Sequence, residues 1–337
     1  MNGLSLLVSL PDEPASLDVL ARELSWDTQS LTLARQLFDE GLPPLVDRRT
    51  LPYLFGVSPR LISAMGKFPE RYYRRFVTPK HGGGQRQIDA PRRFVKLIQR
   101  WINQHVLASA KLPPYVLGFA KGRNIFDHGR LHADSTNLMV VDIQDFFPTI
   151  TFDNATAVFC DFGFPTTVAL QLGSLCSLDR RLPQGAPTSP SIANLAFSHA
   201  DSQLKALANS WDSRYSRYAD DLAFSGSTRY TKTHVRRVET ILKRHGFAVN
   251  TSKTRRIGSG ARQIVTGLVI NKVAHPPRWK RHNWRAMFHR AQHDPRQFAQ
   301  HKQHMRGVAA FVSQYDPARA TRYRAVIETV ARLSSDQ

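Results

Sequence analysis

Two adjacent aspartates, Asp220 and Asp221, lie in Ser216-Arg-Tyr-Ala-Asp-Asp-Leu-Ala-Phe-Ser-Gly226, between the β-forming runs Arg217-Tyr218 and Leu222-Ala223-Phe224. That pattern predicts two strands meeting at a tight turn with the carboxylates at its tip. Two negative charges side by side on a rigid turn are unfavourable unless a cation offsets them. Hard divalent ions such as magnesium prefer carboxylate oxygens and are the natural candidates. Taken alone, such a pair is more often a solvated bend, so the rest of the chain must decide. A third aspartate, Asp142, ends the apolar run Leu138-Met-Val-Val-Asp142-Ile143, which predicts a buried central strand. A carboxylate there needs a partner, a hydrogen-bond network or a metal.

Other stretches carry groups suited to anions and substrates. Tyr72–Lys80 and Gln85–Ala90 predict two strands joined by His81-Gly-Gly-Gly84, with Lys80 and Arg86 bracketing the glycines. Glycine permits a tight turn and close approach of backbone N–H groups to an anion. This is no Walker-type loop, since no Gly-Lys-Ser/Thr opens a following helix. Arg180-Arg-Leu-Pro-Gln-Gly-Ala-Pro-Thr-Ser-Pro190 is a proline-stiffened loop with Gln184 at its apex, leading into a helix capped by Ser189. Its stiffness suits a surface that grips a substrate. Phe247–Thr254 predicts a strand and turn carrying Lys253, and Ile264–Ile270 a strand in which Gly267 allows close backbone approach.

The positioning elements follow from periodicity. Residues 1–50 are acidic and helical, with Leu17, Leu20, Leu24, Leu31, Ala34 and Leu37 at helical spacing, and end in a linker at Gly41-Leu-Pro-Pro44. Pro91–Leu107 predicts an amphipathic helix with Phe94, Leu97, Ile98, Ile102 and Val106 inward and Arg92, Arg93, Lys96 and Arg100 among them. Helices are expected over 151–162, 166–175 and 233–245, with Gly163 and Gly246 as stops. From Pro276 the tail predicts basic helices, with Arg278, Lys280, Arg281 and Arg285 around Trp279 and Trp284, a mixture suited to phosphate contact and stacking.

The 337 residues carry 47 Lys+Arg against 26 Asp+Glu, a net charge of +21, which points to a polyanionic partner and above all nucleic acid. The excess is uneven: residues 60–100 hold eleven Lys/Arg and two acids, and residues 272–306 hold nine Lys/Arg and one acid, Asp294. Cys160 and Cys176 lack metal-ligand spacing and predict reduced core residues of a cytoplasmic protein. No secretory leader and no run approaching eighteen apolar residues is found, so no membrane span is expected.

The order of Val-Asp142-Ile-Gln-Asp-Phe-Phe, Leu182–Pro190 and Tyr218-Ala-Asp-Asp221 resembles the reverse transcriptase family, and within it the bacterial retron branch. Val265-Thr-Gly267 resembles a retron hallmark linked to recognition of the enzyme's own RNA. A second hallmark, Asn-Ala-x-x-His, is matched only by its histidine: this chain has His128-Gly-Arg-Leu-His132. The resemblance implies an α+β right-hand polymerase, with fingers over 51–136, a palm over 137–272 that carries the aspartates and includes fingers helices near 154–182, and a basic helical thumb over 273–337. It implies two magnesium ions, with manganese as a substitute, held by Asp142, Asp220, Asp221 and the Ile143 carbonyl. Lys80 and Arg86 would grip the triphosphate of the incoming dNTP. Phe147 would select deoxynucleotides, Gln184 support the nucleotide, and Lys253 assist near the pyrophosphate. His132, Val265, Thr266, Gly267, Arg278, Lys280, Arg281 and Arg285 would contact RNA.

By the same resemblance the chain would copy a cognate structured non-coding RNA into branched RNA–DNA, primed from a 2′-hydroxyl. A separately encoded effector in phage defence is the implied partner. The alternatives are another bacterial reverse transcriptase (of the intron, diversity-generating or abortive-infection kind), a non-catalytic RNA-binding scaffold on the same fold, or a metal-dependent nuclease.

Overall fold

The computed structural model describes residues 14–79 and 83–332. Helices α1 (Pro14–Glu23), α2 (Thr28–Asp39), α3 (Thr50–Leu54) and α4 (Pro59–Lys67) precede a hairpin of β1 (Tyr73–Pro79) and β2 (Gln85–Pro91). Next come α5 (Arg93–His105), α6 (Ile125–His132), β3 (Asn137–Ile143), α7 (Phe146–Thr149), α8 (Phe152–Asp161), α9 (Thr166–Cys176) and α10 (Ser189–Ala196). They are followed by α11 (Ser198–Asn209), β4 (Ser213–Tyr218), β5 (Asp221–Gly226), α12 (Lys232–Arg244) and β6 (Val249–Gly258). A small hairpin, β7 (Ile264–Val265) and β8 (Leu268–Val269), leads to α13 (Arg278–His293), α14 (Lys302–Val312) and α15 (Pro317–Arg332).

These elements form two compact units, each made of separate chain segments. The first takes the chain up to Ala120 with Ile143–Leu204 and Glu239–Val249; the second takes Lys121–Asp142, Lys205–Val238 and Asn250 onward. The chain thus leaves and re-enters each unit.

In the first unit α5 buries Val95, Ile98, Gln99, Trp101 and Ile102. The buried stripe is therefore turned from the expected one, and Phe94 and Leu97 are only half-buried. Gln99 explains the turn: its NH2 donates to the Tyr73 hydroxyl at 2.7 Å and to the Leu175 carbonyl at 2.8 Å, so the donor end of a polar side chain is partnered inside. Helix α8 starts where the sequence places it, with Thr151 and Asn154 forming a reciprocal capping box. It packs on α9 at Gly173, where a Cβ would stand 2.7 Å from Thr156 Oγ1. The stretch expected as a linker is packed instead: Leu42, Leu45 and Val46 are buried, so apolar flanks override its proline composition. Cys176 is buried as expected, whereas Cys160 is exposed.

The second unit is built on an antiparallel sheet in the order β4-β5-β3-β6. Central strand β3 is buried along nearly its whole length, as its unbroken apolar run predicts. Two expectations change here. The strand and turn around Lys253 is one ten-residue strand, β6. The stretch 264–270 is a hairpin, because Thr266 (φ 47°) and Gly267 (φ 78°) make a two-residue turn with both central φ angles positive. Behind the sheet Phe126, Leu138, Val140, Ala223, Val265, Leu268 and Ile270 form one core. Helices α13–α15 close on their own core, in which the Phe288 and Tyr323 rings stack at 3.7 Å.

The α8–α9 contact yields a stability prediction. Gly173→Val is expected to cost about 1–3 kcal/mol through overpacking, seen as a lower thermal midpoint. Adding Thr156→Ala should recover part of the loss; no recovery would show that the clash lies elsewhere.

Candidate active site

Strands β4 and β5 pair so that Tyr218 faces Asp221, leaving Ala219 and Asp220 as the turn. Ala219 sits at φ 57°, the sign required at the first central position of a type II′ turn. For a residue with a side chain that costs on the order of 1 kcal/mol, and neighbours must hold it. Arg217 supplies part of the support: it is fully buried, and its Nη1 donates to the Ala219 carbonyl at 3.2 Å. Sequence reasoning did not single out Arg217. The polar stretch Ser213-Arg-Tyr-Ser-Arg-Tyr218 carries no local signal for it, since the arginine three residues earlier, Arg214, is exposed.

Asp142 on β3 lies directly across from Asp221 on β5, so the register brings the two carboxylates together beside Asp220. Asp142 is buried, and one of its oxygens accepts from Lys253 Nζ at 3.1 Å. Lys253 is itself 61% exposed, which makes this a weak and exchangeable ion pair. Burial, and then the charges of Asp220 and Asp142, push the Asp221 carboxyl up to about 6; Arg255 and Lys253 oppose the shift. The turn thus holds three hard oxygen donors with more negative charge than its lysine balances, the donor chemistry of a divalent-cation site. Among the described residues no three or more acidic, histidine or cysteine side chains stand close enough together to hold a metal ion as they are placed.

Arg86, Ile143, Phe147 and Gln184 belong to the first unit. Arg86 is exposed on β2, and Lys80 lies outside the described residues. Gln184 is half-buried, and its carbonyl accepts from the Asp89 N–H at 2.9 Å, tying the stiff loop to β2. Gly185 makes the approach possible: at φ 133°, a Cβ there would stand 3.0 Å from the Asp89 carbonyl. Arg75 locks the same corner, with Nε donating to Asp89 and Nη2 to Asp179, both at 2.7 Å. Ser189 does not cap α10. Thr188 stands at the cap, and the Ser189 hydroxyl donates to the Pro183 carbonyl at 2.7 Å, closing the loop on itself. Ile143 is buried at the end of β3, and the half-buried Phe147 ring lies 6.0 Å from Phe119.

The residues expected at RNA divide. His132 is corrected: it is fully buried, and its Nδ1 and Nε2 lie 2.8 and 2.7 Å from the hydroxyls of Ser225 and Ser216, so it braces β4 and β5. Val265 is likewise buried in the core, while Thr266 is half-buried and Gly267 exposed at the hairpin tip. Arg278, Lys280 and Arg285 are exposed on α13, with Lys280 Nζ 5.6 Å from the Trp279 ring centre. Arg281 is half-buried and its Nε is shielded.

The profile of the family described as "Reverse transcriptase (RNA-dependent DNA polymerase)" matches residues 78–282. Among curated proteins, the retron Mx65 reverse transcriptase of Myxococcus xanthus is 32% identical over 274 residues, covering 75% of this chain and 63% of that protein. The retron Mx162 reverse transcriptase of the same organism is 32% identical over 300 residues, covering 78% of this chain and 61% of the relative. The retron Ec86 reverse transcriptase of Escherichia coli is 32% identical over 203 residues, covering 59% and 63%. The chain therefore spans a little over three-fifths of the length of these relatives.

The crowded carboxylates give a pH-dependent prediction. Asp221 keeps its proton to about pH 6 in the fold, against an ordinary value of 3.8. Between those values the folded state binds more protons than the unfolded one, so stability falls as pH rises through that window. Asp221→Asn should therefore raise the melting temperature at pH 7 in chelator by roughly 2–5 °C. The gain should vanish at pH 4; an equal gain at both values would sink the electrostatic account.

Proposed function

The chain belongs to the reverse transcriptase family, and from that premise we propose that it is the RNA-directed DNA polymerase of a retron, copying part of a cognate structured RNA into branched RNA–DNA. The observation that carries the reading is the carboxylate cluster. Asp142 and Asp221 face each other across β3 and β5, with Asp220 on the adjoining turn. The likeness to retron enzymes along most of the chain supports the retron branch.

In this reading Asp142, Asp220, Asp221 and the Ile143 carbonyl hold two divalent cations, magnesium or manganese. Such ions lower the pKa of an attacking hydroxyl and neutralise charge on the triphosphate. The chain's own groups do the rest. The sheet fixes the carboxylates so that their geometry needs no rearrangement during the reaction. Lys253, released from Asp142, offers its ammonium to the leaving pyrophosphate. Arg86 and Lys80 bind the triphosphate of a dNTP through charge-assisted hydrogen bonds. The Phe147 ring excludes a 2′-hydroxyl, and Gln184 supports the nucleotide from a loop that Arg75 and Asp89 hold still. Arg278, Lys280 and Arg285 contact phosphates while Trp279 stacks, and the Thr266–Gly267 tip meets the RNA.

We assign the fingers to 51–136, the palm to 137–272 and the thumb to 273–337, in a cytoplasmic protein that works with a separately encoded antiphage effector. Among the described residues no helix is long and apolar enough to cross a membrane.

Purifying the protein from its host and sequencing the nucleic acid that accompanies it tests the reading: a branched RNA–DNA species supports it, and bare cellular RNA overturns the retron assignment. Asp220→Ala should abolish DNA product in cells while RNA binding persists, and undiminished product would refute the metal-site reading. Phe147→Ala should lower the preference for deoxynucleotides over ribonucleotides by about 10- to 200-fold, the range set by removing a steric contact from a pocket. The measurement is single-nucleotide incorporation from both substrates.

A further inference from the structure

His128 is a buried residue that the reading above leaves without a task. It sits on α6 with no exposed surface, and burial holds its pKa down to about 3, so the ring is neutral. One face stacks on Tyr218, with ring centres 5.8 Å apart and planes inclined by 17°. Nδ1 lies 2.6 Å from the Thr266 hydroxyl, 138 residues away in the chain. Nε2 is shielded and has no partner among the described residues, so there the ring is held by the Thr266 hydrogen bond and by stacking. His132 meets it edge-on at 5.4 Å.

The neighbouring residue explains how this contact comes about. A Cβ on Gly129 would stand 2.8 Å from Ala274 Cβ and 3.1 Å from Leu268 Cδ1. Glycine therefore lets α6 settle onto the β7–β8 hairpin more closely than any side chain would allow. From the hairpin turn Thr266 then reaches His128. Threonine is β-branched and disfavours positive φ, yet it is held at 47°, where its hydroxyl reaches His128. Tyr218, on the far side of the ring, is the last residue of β4 and directly precedes the Ala219-Asp220 turn.

We propose that His128 is a positioning residue for the catalytic turn: it takes its place from the Thr266 hydroxyl and passes it to Tyr218, so that an RNA strand engaging the Thr266–Gly267 tip is felt at the carboxylates. This rests on the polymerase reading of that turn. The physical basis is the narrow tolerance of a reacting geometry, in which a displacement of about 1 Å can cost a hundredfold in rate. The turn has little slack of its own, since Ala219 already occupies a strained φ. A ring clamped between Tyr218 and Thr266 removes one way for it to move.

The test uses the full chain with magnesium, oligo(dT) on poly(rA) and dTTP, so that no cognate RNA is needed. Thr266→Val removes the hydroxyl and keeps the shape. His128→Phe keeps the stacked ring and removes the hydrogen bond, and His128→Ala removes both. Melting temperatures establish that each variant is folded at the assay temperature. Thr266→Val and His128→Phe should each lower kcat about 5- to 10-fold with the KM for dTTP unchanged, and the double variant should be no slower than either single one. Such non-additivity is expected of two groups acting through one bond. His128→Ala should fall further, by about 100-fold. Unchanged kcat in both single variants, or losses that multiply in the double, would overturn the proposal, and Thr266→Val decides it if the His128 variants do not fold. No synthesis by the wild type would instead refute the polymerase reading and this inference with it.

Discussion

Like charges brought together on a sheet repel, and that repulsion sets the terms for the rest of the second unit. Asp142 and Asp221 are direct cross-strand neighbours, an arrangement that destabilises a sheet when both are ionised. The sheet tolerates it because β3 is buried through Leu138, Met139, Val140 and Val141, which fixes the register. A slip by one residue would turn every one of those side chains to the opposite face. The carboxylates are thus held together by apolar packing they take no part in. Burial first, and the neighbouring charges of Asp220 and Asp142 second, push the Asp221 carboxyl up to about 6.

Support for the turn comes from groups that are polar, buried and remote in sequence. Arg217 donates to the Ala219 carbonyl, and His132 bridges Ser216 on β4 and Ser225 on β5. Each is costly to bury without a partner and holds its position well once partnered. The corner around Gln184 in the first unit follows the same rule. There Arg75 satisfies two carboxylates, and a glycine lets the loop backbone reach β2.

Those features separate what was legible in the sequence from what was not. The aspartates were legible because the β-forming runs around Asp220-Asp221 and the apolar run before Asp142 each have a local period. The apolar faces of α1 and α2 and the start of α8 at Thr151 followed from local rules in the same way. The inward turn of α5 did not, because Gln99 counts as polar until its partners, Tyr73 and Leu175, are known. His132 was placed at RNA because a histidine in a motif suggests contact, whereas its partners on β4 and β5 are more than eighty residues away. The 264–270 hairpin was missed because Thr-Gly is a weaker turn signal than Asn-Gly, and the positive φ of Thr266 depends on tertiary contact. The division into units was illegible for a related reason: contacts between segments distant in the chain decide it.

Lys253 shows how the same site remains open to exchange. Its partner Asp142 is almost fully buried, while the lysine is mostly solvated. Breaking the pair therefore costs the lysine little, since water replaces the lost contact, but leaves a buried carboxylate that must find another cation. The asymmetry makes Asp142 the fixed partner and Lys253 the one that leaves. In the metal-site reading proposed above, a divalent ion, with its greater charge and its preference for several oxygens, would outcompete a single ammonium where Asp220 and Asp221 add donors of their own. In that reading the repulsion that makes the turn costly to fold would also be what favours a doubly charged occupant over a lysine.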